Sequence, residues 1–169
     1  MQLSRRFVVL ALAAALAGCK DTTAPAPAAG QIVAKWAGVV WIGSTSVNVY
    51  NYGPAGDTLF ISANRTGIPQ LEETILVRVR FTGTGTYTLG PGAAQLEELV
   101  GGDVLVGQYA TTSGATGTLV ITRFDPVGKQ VEGVLSFDGV STMQNGRYGT
   151  RATLEDGRFS ATFLNLAAP

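Results

Sequence analysis

The sequence predicts an all-β protein, an antiparallel β-sandwich or barrel of short strands with at most one short helix. Three observations carry that expectation. Runs that alternate apolar and polar residues recur at short intervals along the chain. Clusters of Gly, Pro, Asn and Asp, turn formers each for its own reason, separate those runs. Only one stretch carries a helical pattern, and it is short. Periodicity cannot separate a sandwich from a barrel. From Gln31 to Pro169 the chain is long enough, as a single β-rich domain, to bury about two-thirds of its unfolded surface without disulfides.

Asn48, Tyr50 and Tyr52 share one face of a strand by the two-residue period and form a candidate binding group, since aromatic rings beside amides stack on sugars or peptides. The favoured reading is nevertheless that Trp36, Trp41 and the tyrosines fill the sheet interior or its rim, since aromatics are enriched in strands. Ile75, Val77, Val79 and Phe81 define the clearest inward face, with Arg78 and Arg80 turned outward. In Gly85–Leu89, Thr86 and Thr88 point outward. Ala93–Leu99 reads as a helix of barely two turns, suited to capping one end of the sheet system. Thr118–Phe124 leads into Asp125-Pro126-Val127-Gly128, which fits a type I turn. Gln130–Asp138 returns with Val131, Leu135 and Phe137 on one face and Glu132, Ser136 and Asp138 on the other. Arg151–Glu155 enters a second reversal at Asp156-Gly157, and Arg158–Leu164 follows with Phe159, Ala161 and Phe163 on one side.

The N-terminus reads as an address. Arg5 and Arg6 precede an apolar run from Phe7 to Ala17, and small residues end it, as in a secretory signal covering residues 1–18. That run is too short for a membrane span. Leu16-Ala17-Gly18-Cys19 resembles the lipobox of bacterial lipoproteins. The resemblance implies cleavage between Gly18 and Cys19 and lipidation of Cys19, with palmitate-type acyl chains. Stable anchoring takes two or more chains. Residues 19–30 then form the lipidated cysteine and an Ala/Pro-rich tether, extended at about 3.1 Å per residue. Loss of Arg5 and Arg6 leaves two more acids than bases. The expected location is the cell envelope, membrane-anchored. Lys20, where some inner-membrane lipoproteins carry a retaining Asp, favours the outer membrane by resemblance.

The later motifs are Gly85-Thr86-Tyr87-Thr88-Leu89-Gly90, Gly117–Asp125, Gly133-Val134-Leu135-Ser136-Phe137 and Gly157-Arg158-Phe159. In that order, with Trp36 or Trp41 near the domain start, they resemble small bacterial envelope lipoproteins built on a β-rich domain of unknown function. The resemblance implies fold and envelope location, because that family has no assigned activity. Glu155-Asp156 departs from the Thr-Asn usual there.

Composition excludes several chemistries. There are 12 basic and 12 acidic residues, so no basic footprint for nucleic acid exists. Without histidine there is no triad base. A single cysteine allows neither an internal disulfide nor a zinc cluster. Gly83–Thr88 lacks the third glycine and the following helix of a dinucleotide loop, and no calcium-loop run is present. Glu132 and Asp138 lie about 20 Å apart along a strand, too far for glycosidase chemistry. Glu72-Glu73 and Glu97-Glu98 are sequence neighbours whose side chains diverge. The expectation is a non-enzymatic, lipid-anchored binding or interaction module with no cofactor or metal. Its partners are the membrane, through the anchor, and an envelope protein or glycan. Two alternatives stand beside it: a small barrel carrying an apolar ligand, and a hydrolase using carboxylates alone.

Overall fold

A computed structural model describes residues 26–51, 53, 56–68, 70–143 and 146–167. The signal segment, Gly18, Cys19 and Tyr52 lie outside the described residues. Ten strands are present: β1 Gln31–Trp36, β2 Val39–Asn51, β3 Asp57–Ile68, β4 Leu71–Phe81 and β5 Gly85–Leu89, then β6 Ala94–Val100, β7 Val104–Ala110, β8 Gly117–Asp125, β9 Gln130–Ser141 and β10 Arg151–Ala167. The all-β expectation holds.

The strand ladder closes on itself, which identifies a barrel. In the lower half, β1 pairs with both β2 and β10, and the ring runs β1-β2-β3-β4-β6-β7-β9-β10 back to β1. The link between β7 and β9 is short, with Tyr109 opposite Ser141 and Ala110 opposite Val140. In the upper half β10 and β2 pair directly and in parallel, from Phe163 opposite Val47 to Ala167 opposite Asn51. Strand β1 is thus a wedge that opens the β2–β10 seam below. On the other side of the upper half, β5 pairs with β8 and β8 with β9. No ladder joins β4 to β5. Tyr87 bridges that gap instead: its hydroxyl donates to the Gly83 carbonyl at 2.5 Å and accepts from the Thr82 amide at 3.2 Å, while its ring stacks on Phe81.

Inside, the strands deliver what their alternation predicts. Ile75, Val77, Val79 and Phe81 are buried from β4, Val131, Leu135 and Phe137 from β9, and Phe159, Ala161 and Phe163 from β10. Trp36 and Trp41 are both core residues. The Trp36 ring meets Tyr109 and Phe137 at centroid distances of 5.6 and 5.7 Å. Burial of each such side chain contributes about 1.5–3 kcal/mol before entropy is charged against it.

Two local expectations are corrected. Ala93–Leu99 forms no helical cap; residues from Ala94 onward make β6, paired on both edges by β4 and β7. Ala94, Leu96 and Glu98 face inward and Gln95 and Glu97 do not, a two-residue period that two neighbouring ladders enforce over helix propensity. Asp156-Gly157 is no reversal either. Strand β10 runs straight through it with a bulge, Leu154 lying opposite Phe137 and Gly157 opposite Leu135. Asp156 takes the left-handed conformation there (φ 53°), and a Cβ on Gly157 would sit 2.5 Å from the Leu135 carbonyl oxygen. A left-handed Asp before Gly serves a bulge as well as a turn. By contrast the β8–β9 reversal is as expected, with Asp125 Oδ1 accepting from the Val127 and Gly128 amides at 3.0 and 2.8 Å. Those amides, Gly128 first, hold the Asp125 carboxyl below its ordinary pKa.

Candidate functional site

The upper outer wall brings together two groups singled out separately in the sequence. Register places Asn48 of β2 opposite Phe60 of β3, and Phe60 opposite Arg78 of β4. One row higher, Tyr50 lies opposite Thr58 and Thr58 opposite Arg80. All six alternate with buried neighbours and therefore face outward. Asn48, Tyr50, Thr58 and Phe60 are half-buried, whereas Arg78 and Arg80 are exposed. The result is a sheet face carrying amide, ring and hydroxyl groups beside two cations.

Neither guanidinium has a hydrogen-bond or ion-pair partner among the described residues, unlike Lys35, Arg65, Arg123 and Arg147. Arg80 lies along Gly56, where a Cβ would come within 3.3 Å of Nε. A shallow groove of about 280 Å³ runs past Thr58, Arg78 and Arg80 and is walled by Pro91, Gly92 and Ala93. A smaller one of about 140 Å³ adjoins it beside Phe60 and Gln95.

That wall is held in place. The Arg78 amide donates to the Ala93 carbonyl at 2.8 Å. Buried Thr111 donates its hydroxyl to the Gly90 carbonyl at 2.6 Å, and its own carbonyl accepts the Gly92 amide at 2.8 Å. The turn between β5 and β6 is therefore fixed against β4 before any ligand arrives.

A second constellation lies inside the lower end, and sequence reasoning missed it. Glu73 of β4 and Glu98 of β6 are directly opposite each other and both point inward, 0% and 2% exposed. Opposed residues of neighbouring strands have Cβ atoms about 4.5–5.5 Å apart. Glu73 is fully engaged: its Oε2 accepts from Trp41 Nε1 at 2.8 Å and Arg65 Nη1 at 3.2 Å, and its Oε1 accepts from the Tyr148 hydroxyl at 2.6 Å. Arg147 adds an ion pair at 3.7 Å. Glu98 is the opposite case, with Oε1 lacking any hydrogen-bond partner among the described residues. Desolvation pushes its pKa up, with a backbone hydrogen bond from Arg147 opposing and the Glu73 charge reinforcing the rise. Desolvation followed by the bond to Glu73 also pushes the Tyr148 phenol far up, and burial raises Tyr109.

The signal for this pair was in the alternation. Extending the inward face of β4 back from Ile75 puts Glu73 inside, and reading Ala94 and Leu96 as strand does the same for Glu98. The neighbours Glu72 and Glu97 diverge outward as expected. Chemically the pair acts as a clasp: with Glu73 saturated and both side chains sealed from solvent, no oxygen is presented to a substrate. It fastens β2, β3 and β4 to the Gly146–Thr150 segment, which closes the lower end.

Inside the barrel Trp36, Tyr109, Phe137, Phe159 and Phe163 are fully buried and belong to one core cluster. A cleft of about 460 Å³ indents the upper mouth among Val49, Phe81, Phe124, Asn51, Asp57 and Asn165. Among the described residues no group of three His, Cys, Asp or Glu could hold a metal ion. Comparison with family models, curated proteins and solved structures returned no match.

Proposed function

We propose that the protein is a lipid-anchored module of the cell envelope that works by binding, with the Asn48/Tyr50–Arg78/Arg80 wall as its contact surface. The observation that carries this reading is the convergence of those four residues, with Thr58 and Phe60, on one outer face of the barrel. Core side chains packed through the rest of the barrel leave an apolar ligand only the cleft at the upper mouth, which favours surface binding over carriage. The sealed state of Glu73 and Glu98 favours it over carboxylate hydrolysis. Acyl chains on Cys19 would confine the domain to the membrane, probing partners at raised effective concentration through the residue 19–30 tether.

Two measurements test the proposal. Cys19→Ser is expected to free the protein from membranes, and membrane retention of that variant would overturn the anchor. Native mass spectrometry of the full protein, gently extracted from its envelope, is expected to show a bound protein or glycan that Asn48→Ala/Tyr50→Ala loses. A bound apolar small molecule that survives that double substitution would instead establish the carrier.

A further inference from the structure

We infer that the Arg78/Arg80 groove binds an acidic saccharide chain, one bearing carboxylates or phosphates on neighbouring sugars. This rests on the binding function proposed above and assigns it a ligand class. Arg78 and Arg80 are two positions apart on one face of β4, so their Cα atoms are about 7 Å apart. Neither guanidinium has an acid partner among the described residues, so two charge-assisted sites stand open side by side. Each can grip an oxyanion with two parallel N–H donors.

The groups beside them suit sugar rather than a bare ion. Half-buried Phe60 and Tyr50 offer apolar ring surface, which packs against the C–H faces of a pyranose, and Asn48 and Thr58 offer groups for its hydroxyls. The geometry also selects a chain over a membrane surface. The arginines lie on the barrel's side, in a groove bounded by the fixed Pro91–Ala93 wall, a concave site that suits a chain better than a flat headgroup layer.

The test uses the full lipidated protein in detergent micelles, titrated calorimetrically with oligogalacturonate, a neutral malto-oligosaccharide of equal length, and inorganic phosphate. Vesicle flotation with phosphatidylglycerol in phosphatidylcholine runs alongside, with Cys19→Ser protein so that the anchor contributes nothing. Oligogalacturonate is expected to bind, to weaken with added salt, and to lose about tenfold affinity or more with Arg78→Gln or Arg80→Gln. Arg151→Gln, exposed at the opposite end of the barrel, is expected to leave it unchanged. Because both groove arginines are exposed and unpaired, their substitution leaves the melting temperature unchanged, which separates lost binding from lost fold.

Equal binding of the neutral chain, or full binding by Arg78→Gln/Arg80→Gln, overturns the acidic-saccharide assignment. Binding to phosphate or to anionic vesicles in place of oligogalacturonate overturns it also. In each of those cases a native partner that Asn48→Ala/Tyr50→Ala still releases leaves the binding function standing. Loss of that partner effect removes both.

Discussion

Glu73 offers the sharpest perturbation, because its contacts are numerous and its burial complete. Glu73→Ala leaves the Trp41 indole N–H and the Tyr148 hydroxyl without acceptors in the lower end of the barrel. A buried donor stranded in this way costs about 1–3 kcal/mol; Trp41 bears that in full and the half-buried Tyr148 hydroxyl a part of it, so the two together cost about 2–4 kcal/mol. Arg65 and Arg147 add less: their side chains are 25% and 52% exposed and turn to water once released. Against a typical total of about 5–15 kcal/mol, that is a large share of stability. Urea unfolding at pH 7 reads it directly. With a slope of about 2 kcal/mol per molar, a 4 kcal/mol loss lowers the midpoint by about 2 M. Glu73→Gln is expected to lose less, since one carbonyl oxygen survives while the new amide meets a donor. Tyr148→Phe in both backgrounds completes the cycle, with an expected coupling of about 0.5–3 kcal/mol because the two residues share a bond. A Glu73→Ala loss below about 1 kcal/mol, or additive effects with Tyr148→Phe, would refute the clasp.

Three further outcomes follow from the same geometry. The raised pKa of Glu98 means that the folded state holds a proton which the unfolded chain releases near the ordinary value of 4.5, so the folded state loses stability as pH rises from there through the raised value. Glu98→Gln removes that slope and is expected to gain on the wild type steadily between acid and neutral pH; a pH-independent difference in urea midpoint would count against it. Asp125 has the opposite sign: its depressed pKa stabilises the turn above the ordinary carboxylate range and ceases to as pH falls through the lowered value. Asp125→Ala should therefore lower the melting temperature at pH 7 and converge with the wild type in acid, whereas a constant gap would reject the amide bonds as the cause. Gly133→Ala puts a Cβ 2.5 Å from the Val120 carbonyl oxygen and 2.7 Å from the Phe159 ring. The expected cost is about 1–3 kcal/mol by chemical denaturation, and a neutral result would mean that β8 and β9 part more easily than their register implies.

What the sequence made legible was local. The alternation of β4, β5, β9 and late β10, and the chemistry of Asp125–Gly128, belong to residues whose neighbours in the chain decide their conformation. Ala93–Leu99 suggests a helix because alanine, leucine, glutamine and glutamate suit one, and only the ladders of β4 and β7 make Ala94–Val100 a strand. Asp156-Gly157 was misread because the same dipeptide serves a turn and a bulge, and what separates them is continuous pairing with β9. The upper outer wall was half legible. Asn48 and Tyr50 could be put on one face, and Arg78 and Arg80 on another, but that these are the same surface depends on β3 lying between them. The pairing of Glu73 with Glu98 was hidden for the same reason, with β6 mistaken for a helix.

The position of β10 has a consequence for how the molecule comes into being. It is last in chain order, yet it supplies the partner for β1, for the upper part of β2 and for β9. Until Arg151–Ala167 is available, three open edges persist and no ring exists. Contacts that span nearly the whole domain form slowly, since the loop they close is long. A polypeptide threaded through a membrane N-terminus first would therefore carry no finished barrel while in passage, and closure would wait for its final strand to emerge.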